Sequence, residues 1–196
     1  MADTESGRGA AEEKLIRAAG ELLSEVGPRA ASVRSVAARA GVNHGLVHHY
    51  FGSKEALLRA AMTRLVEDHA AFAKDMANGA AVPAPFALLQ DQAYLRAVMR
   101  CVLDGEMELA TTELSAGVSV PRRVLDELTA RQGLNEPDVK TQAVVGIGMA
   151  MEMGWAALEP FIFAVVGATA DEQASVRAEA VALRNSITQT WFAESN

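Results

Sequence analysis

SVRSVAARAGVNHGLVHHYF, residues Ser32 to Phe51, reads as two short helices joined by a tight glycine turn. Ser32 is suited to cap a helix that begins at Val33, because its hydroxyl can accept an unpaired backbone N–H. Val36, Ala37 and Ala40 recur at helical spacing and give that helix one apolar side. Ala37 is small where a second helix must cross closely. Gly41 suits the left-handed conformation that ends a helix and turns the chain. Asn43 can cap the next helix, and Val47 and Phe51, four apart, would bury its inner face. Asn43, His44, Gly45, His48 and His49 are left outward or near the start of that second helix. Side chains of these types can donate to phosphates or base edges. This is the layout of a helix-turn-helix, whose second helix enters the DNA major groove. An ordinary helical hairpin with a solvated face is the competing reading of the hairpin alone.

The flanks add to the pattern. An amphipathic helix, Ala11 to Val26, precedes it, with Leu15, Ala19, Leu22 and Val26 on one stripe and Ile16 and Leu23 beside it. Gly27-Pro28 stops that helix. Gly52-Ser53-Lys54-Glu55 follows, where Ser53 can cap a further helix from Lys54. In VGPRAAS, VRSVAARAGVNHGLVHHYF and GSKEALL the chain resembles the N-terminal region of the tetracycline-repressor (TetR) family of bacterial regulators, over roughly residues 11 to 60. Beyond that segment only length and helical layout are similar.

The resemblance implies a three-helix DNA-binding head, with Val33–Ala40 as supporting helix and Asn43–Tyr50 as recognition helix. Lys54 would donate to a phosphate from the start of helix four. Two positions depart from the family pattern: Leu46 stands where a phosphate-binding Thr or Ser is frequent, and His48 where Tyr is usual. Leu46 has no donor but can touch a thymine methyl. His48 can still donate, with a charge that varies near neutral pH. The DNA-contacting set is therefore Ser32, Arg34, Asn43, His44, Gly45, His48, His49, Tyr50 and Lys54.

Charge is distributed to match. The chain of 196 residues carries a formal net charge of −7, which disfavours DNA as a whole. From Pro28 to Arg59, however, Arg29, Arg34, Arg39, Lys54 and Arg59 stand against one acid, Glu55. The positive field is local to the recognition segment, while the acidic remainder favours solubility. A single cysteine, Cys101, excludes an intramolecular disulfide and fits a reducing cytoplasm. The opening MADTESGRGAAEE is polar, unlike a signal peptide, and residues 1–10 are expected to form a disordered tail.

After the head the chain reads as helix upon helix, with no strand-like alternation and no repeat; the expected fold class is all-α. A long helix to about Ala77 joins the head, residues 11–57, to a larger helical domain, residues 58–196. Asn78-Gly79 and Pro83-Ala84-Pro85 break it. A helix from Phe86 to Leu103 should bury Leu88, Leu89, Tyr94, Leu95, Val98, Met99 and Val102. Glu106 to Leu114 is a weaker segment, Arg122 to Gln132 a further helix, and Asn135-Glu136-Pro137 opens a long one. Thr169-Ala-Asp-Glu172 is a capping-box pattern before the last helix, which reaches about Ala193. The apolar zone Ala143 to Ala170 is interrupted by Glu152, Glu159 and Pro160, so a buried helix is expected rather than a membrane span, which wants about 18 consecutive apolar residues.

Gly146, Gly148, Ala150, Gly154, Ala156 and Ala157 lie among Val, Ile, Met and Trp in that helix. Small residues permit close approach of another backbone, inside one subunit or across a dimer. With the resemblance, the expectation is a homodimer through the two C-terminal helices, its paired heads meeting two half-sites of double-stranded operator DNA. The resemblance also implies a small apolar or amphipathic effector bound between helices of the second domain. Phe86, Met99, Met107, Met149, Met153, Trp155 and Phe161 would line its site and Glu152 would anchor it; plain core packing is the alternative for each.

No G-x-S-x-G elbow, P-loop or dinucleotide fingerprint is present, so no enzyme activity and no cofactor are expected. His44 and His48 are spaced as a metal pair, but no nearby carboxylate or cysteine completes a site, and no metal is expected. The expected function is a cytoplasmic, ligand-responsive transcription regulator acting as a repressor. The alternative is a helical small-molecule-binding or interaction protein whose head no longer reads DNA.

Overall fold

The computed structural model describes residues 2–79 and 83–193, and these are helical throughout, with no strand among them. The helices run α1 Ala2–Ala30, α2 Val33–Ala40, α3 Gly45–Phe51, α4 Lys54–Ala77, α5 Gln92–Leu103, α6 Met107–Ala110, α7 Thr112–Ser115, α8 Val120–Arg131, α9 Val139–Val166 and α10 Gln173–Ala193. A short 3-10 turn, Ala87–Gln90, precedes α5. Two compact units result. The chain up to Ala71 and the segment Ala93–Val118 make the first; Phe72–Gln92 and the chain from Ser119 onward make the second.

In the first unit, Leu15, Ala19, Leu22 and Leu23 of α1 are buried with Val36 and Ala37 of α2 and Val47 of α3. Leu57, Leu58, Met62 and Val66 of α4 and Leu95, Ala97 and Cys101 of α5 are buried in the same unit. At about 25 cal/mol per Å² of apolar surface removed from water, this core is the main source of the unit's stability. Gly27 has φ +82, so α1 breaks there as the Gly-Pro pair predicts, and one further turn leads to Ala31. Asp104 Oδ2 lies 3.0 Å from where a Cβ on Gly27 would stand, and the same carboxylate accepts from the Arg29 N–H at 3.3 Å. Arg100 Nε donates to the Ser24 carbonyl at 3.0 Å. The end of α5 is thereby tied to the end of α1. Burial, with Asp104 and Glu106 adding to it, pushes the Cys101 thiol up to about 11, which leaves it unreactive.

In the second unit, Glu152 of α9 accepts from the backbone N–H of Phe86 at 2.7 Å and of Leu88 at 3.2 Å. The Phe86 and Trp155 rings stack, centroids 5.0 Å apart. Trp155 Nε1 donates to Glu159 Oε1 at 2.8 Å, and Arg177 of α10 donates to both Glu159 oxygens at 2.7 and 2.8 Å. The Arg177 guanidinium holds the Glu159 carboxyl below the usual carboxylate range, against an opposing effect of burial.

Several expectations are corrected. Residues 2–10, expected as a tail, belong to α1; once the turns from Ala11 are fixed, each further residue adds a hydrogen bond without a new nucleus. The helix expected from Phe86 begins instead at Gln92. Phe86 sits at φ +61 and Asp91 closes the 3-10 turn, whose leading N–H groups, those of Phe86 and Leu88, are taken by the Glu152 carboxylate. Val102, expected in the core, is 45% exposed near the C-terminal end of α5. The segment 106–114 divides into α6 and α7. Asp138, rather than Pro137, opens α9, its carboxylate accepting from the Thr141 N–H at 2.7 Å. The Glu172 carboxylate takes the Thr169 N–H at 2.9 Å and α10 starts at the next residue.

The largest correction concerns α9. It is not a buried helix: its most apolar 18-residue window is 11% buried, and by length and composition alone it is long and apolar enough to cross a membrane. Ile147, Leu158, Phe161 and Val165 are all more than half exposed and fall on one face by the 3.6-residue period. Ala156, Glu159 and Phe163, the buried residues, fall on the opposite face. The described residues cover only one side of this helix.

Candidate nucleic-acid interface

The interface is built from local chemistry. Ser32 caps α2 through a reciprocal pair: its Oγ accepts from the Ser35 N–H at 3.1 Å, and the Ser32 N–H donates to Ser35 Oγ at 2.9 Å. Gly41 closes α2 at φ +67, with its N–H returned to the Ala37 and Ala38 carbonyls. The turn into α3 is made by Asn43, whose Oδ1 accepts from the Gly45 N–H at 2.8 Å. A Cβ on Gly45 would meet that oxygen at 3.2 Å, so the turn favours glycine. As a result α3 starts at Gly45, two residues later than expected, and His44 precedes it in αR conformation without a side-chain cap. Val47 is fully buried and holds α3 to the core, while Phe51 is half-buried. Ser53 caps α4 as expected, its Oγ accepting from the Ala56 N–H at 3.1 Å.

Ser32, Arg34, Asn43, His44, Gly45, His48 and His49 are all exposed; Leu46, Tyr50 and Lys54 are half-buried. No residue of the expected set is fully buried, and the Tyr50 ring lies edge-on to His49, centroids 5.0 Å apart. His48 Nδ1 lies 3.1 Å from the Gly52 carbonyl oxygen. The neighbouring basic residues divide into two classes. Arg39 donates Nη1 to Glu25 Oε1 at 2.9 Å and to Glu21 Oε2 at 3.2 Å, and Nη2 to Glu25 Oε2 at 2.8 Å. Those hydrogen bonds hold the Glu25 carboxyl below its usual range and raise the Arg39 guanidinium further. Arg59 reaches Glu108 at 2.9 Å. Among the described residues no carboxylate forms an ion pair with Arg34 or Lys54; Glu55 is held below its usual range first by its own N–H, then by the Ser53 hydroxyl, with the Lys54 charge adding to it. With Arg39 and Arg59 paired, the positive field the sequence assigns to this segment rests on Arg29, Arg34 and Lys54, while Arg39 fastens α2 to α1. Nothing local in the sequence marks Arg39 for that role, since its partners lie 14 and 18 residues back.

The residues expected to line an effector site are not gathered in this way. Met99 and Met107 belong to the first compact unit, and Phe86, Met149, Glu152, Met153, Trp155 and Phe161 to the second. Within the second, Phe86, Glu152 and Trp155 come together, and the Glu152 carboxylate is occupied by backbone donors. Met149 and Phe161 are exposed, as is Met107 in the first unit. The pairing of Glu159 with Arg177 was not legible, because it joins two helices across 18 residues.

A family model described as bacterial regulatory proteins, tetR family, matches residues 15–61. An HTH-type transcriptional repressor of Mycobacterium tuberculosis is 28% identical over 162 residues, 83% of this chain and 80% of that protein. The HTH-type transcriptional regulator BetI of Stenotrophomonas maltophilia is 43% identical over 56 residues, 29% of each chain. A tetR-family transcriptional regulator from Streptomyces coelicolor has a similar fold, with a TM-score of 0.59 at 18% identity, over 94% of this chain and 84% of that one. The matched segment contains α2, the Gly41 turn, α3 and the start of α4, the elements whose geometry forms the exposed surface. Residues 15–61 carry the N-terminal region of the TetR family of bacterial regulatory proteins, and over most of its length the chain is similar to an HTH-type repressor.

Proposed function

We propose that this protein is a sequence-specific DNA-binding transcriptional regulator, a repressor that a small-molecule effector releases from its operator. The observation that carries the reading is the exposed face of α3 and its turn, bearing Asn43, His44, His48 and His49, beside Arg34 and Lys54 without carboxylate partners. The similarity to the mycobacterial HTH-type repressor and to the BetI regulator supports it. Residues 11–57 serve as the DNA-binding head and residues 58–196 as the effector and dimerisation domain. Asn43, His44 and His49 read base edges, while Arg34 and Lys54 hold phosphates. Blocking a promoter needs only tight, positioned binding, which is why repression is the economical reading.

The protein acts as a cytoplasmic homodimer through α9 and α10. The support is the open apolar face of α9, Ile147, Leu158, Phe161 and Val165, with Leu183 and Ile187 exposed on α10. A face of this kind on a soluble chain requires a cover, and a second copy supplies it while pairing two heads for two half-sites. The effector is a small apolar or amphipathic molecule held in the second domain around Phe86, Met153 and Trp155. It shifts the head only through a difference in affinity for the two states.

The test is a gel shift with duplexes selected from random sequence by the protein itself, titrated with salt. Lys54→Ala is expected to weaken binding across all sequences and to reduce the salt slope by about 1. Equal binding by the wild type and an Arg34→Ala/Lys54→Ala variant would remove the DNA-contact assignment.

A further inference from the structure

Phe86 holds a backbone conformation that its own chemistry disfavours. Among the described residues only Asn78 and Phe86 combine a side chain with a positive φ, and asparagine tolerates that region where an aromatic residue does not. The local sequence points elsewhere as well. Pro85 is acceptable in a first helical turn, and Leu88, Leu95 and Val98, seven and three apart, fall on one face of a single helix. That pattern favours a helix running from Phe86, yet α5 begins at Gln92.

What the bend gains is a nest for an anion. Phe86 is left-handed, at φ +61 and ψ +26, and a 3-10 turn follows it at once. Such an alternation turns neighbouring backbone N–H groups toward one point. The Glu152 carboxylate fills that point, one oxygen accepting from Phe86 at 2.7 Å and the other from Leu88 at 3.2 Å. Bonds to a charged acceptor are the strong kind, and the Phe86 ring stacked on Trp155 adds to them. Against them stand the left-handed Phe86 and the helical bonds forgone at the start of α5. In a continuous helix the Leu88 and Leu89 carbonyls would take the N–H groups of Gln92 and Ala93. Here the Gln92 side-chain amide reaches each of those carbonyls at 3.4 Å, and Leu88 also takes the Asp91 N–H at 3.1 Å.

We infer that residues 86–91 are a two-state segment that Glu152 locks in its bent form, and that withdrawal of this carboxylate lets α5 grow backward to Phe86. Local pattern and long-range contact are in conflict at this one place, which is the condition for a bistable element. The bend, Glu152 and Trp155 all belong to the second compact unit. A donor that competes for the carboxylate acts as its removal does, so the segment is a point of control, independent of the DNA-binding reading.

The experiment is residue-resolved amide hydrogen exchange, by nuclear magnetic resonance, on the full chain and its Glu152→Ala and Glu152→Gln variants. In Glu152→Ala exchange is expected to speed up at Phe86 and Leu88, which lose their acceptor. At Gln92 and Ala93, which gain helical partners, it is expected to slow by about five- to tenfold. Glu152→Gln, whose single carbonyl oxygen is uncharged, is expected to shift the same four amides in the same directions by less. Opposite signs within one short segment separate a switch from simple fraying. Faster exchange at Phe86 and Leu88 without slowing at Gln92 and Ala93 overturns the inference, and so does unchanged exchange at all four. Loss of the fold in both variants overturns it too, because Glu152 would then be a requirement of the fold rather than a lock on one segment.

Discussion

Arg39 meets Glu25 through two parallel hydrogen bonds, Nη1 to Oε1 at 2.9 Å and Nη2 to Oε2 at 2.8 Å, and so joins the supporting helix to α1. A residue used in this way is unavailable to DNA, although it lies in the same basic segment as Arg34. The two arginines should therefore separate in one measurement. Arg34→Ala is expected to lower the salt slope of DNA binding by about 1, whereas Arg39→Ala leaves the slope unchanged. Arg39→Ala should instead lower the thermal midpoint slightly, because both partners are partly exposed, and high salt should erase that difference. A slope that falls equally in both variants would place Arg39 on the phosphates after all.

Asn43 has two roles that one substitution can part. Its Oδ1 makes the turn by accepting from the Gly45 N–H, and its amide is the group left to donate to a base. Asn43→Asp keeps the acceptor and removes the donor, so its thermal midpoint is expected to match wild type while base preference in selected duplexes changes. Asn43→Ala removes both and should also lower the midpoint, by about 1 kcal/mol in stability. Unaltered selection in Asn43→Asp would show that the side chain serves the turn alone.

What was legible in the sequence follows the range of the forces involved. Ser32, Gly41 and Ser53 were readable because a cap or a positive-φ turn is satisfied within three or four residues. The start of α3 was misplaced by the same local chemistry, since Asn43 can cap a helix or fold back on Gly45, and only the structure chooses. The helix expected from Phe86 failed for a different reason. Glu152, 66 residues away, takes the Phe86 N–H, and no local pattern announces such a bond. The exposed face of α9 was hidden by composition: an apolar helix looks buried until one sees that its own chain covers a single side. The exposure of the residues expected to face DNA was legible because they lie in one short motif; a set drawn from distant helices was not.

Glu159 predicts an acid-sensitive joint between α9 and α10. It is nearly buried, accepts from Trp155 Nε1 and carries both hydrogen bonds from Arg177. Glu159→Ala is expected to destabilise the fold by roughly 1–2 kcal/mol, a value limited by the solvent that still reaches Arg177. Glu159→Gln should cost less, since its carbonyl oxygen still accepts one bond. Because the folded carboxyl is held below its ordinary value of 4.5, its contribution is present above that pH and is lost as pH falls through the folded value. Urea titrations of wild type and Glu159→Ala should therefore differ at neutral pH and converge in acid. A gap that stays constant would assign the effect to packing alone.

The two faces of α9 predict opposite consequences for the same substitution. Phe163 is 4% exposed and packs edge-on to Trp155, centroids 6.1 Å apart, with the Arg177 guanidinium over its ring. Phe161 is 66% exposed, on the open stripe with Leu158 and Val165. Phe163→Asp removes the ring from Trp155 and buries a second carboxylate one turn from Glu159, and is expected to destabilise the folded chain by several kcal/mol. Phe161→Asp places the charge where a second copy would lie, so the chain should fold, yet sediment as a monomer at micromolar concentration. Its affinity for a two-half-site duplex should then fall to that for a single half-site, because the second head no longer binds from within the same molecule. A Phe161→Asp variant that remains dimeric by analytical ultracentrifugation, with unchanged operator affinity, would rule out this stripe as the surface that pairs the heads.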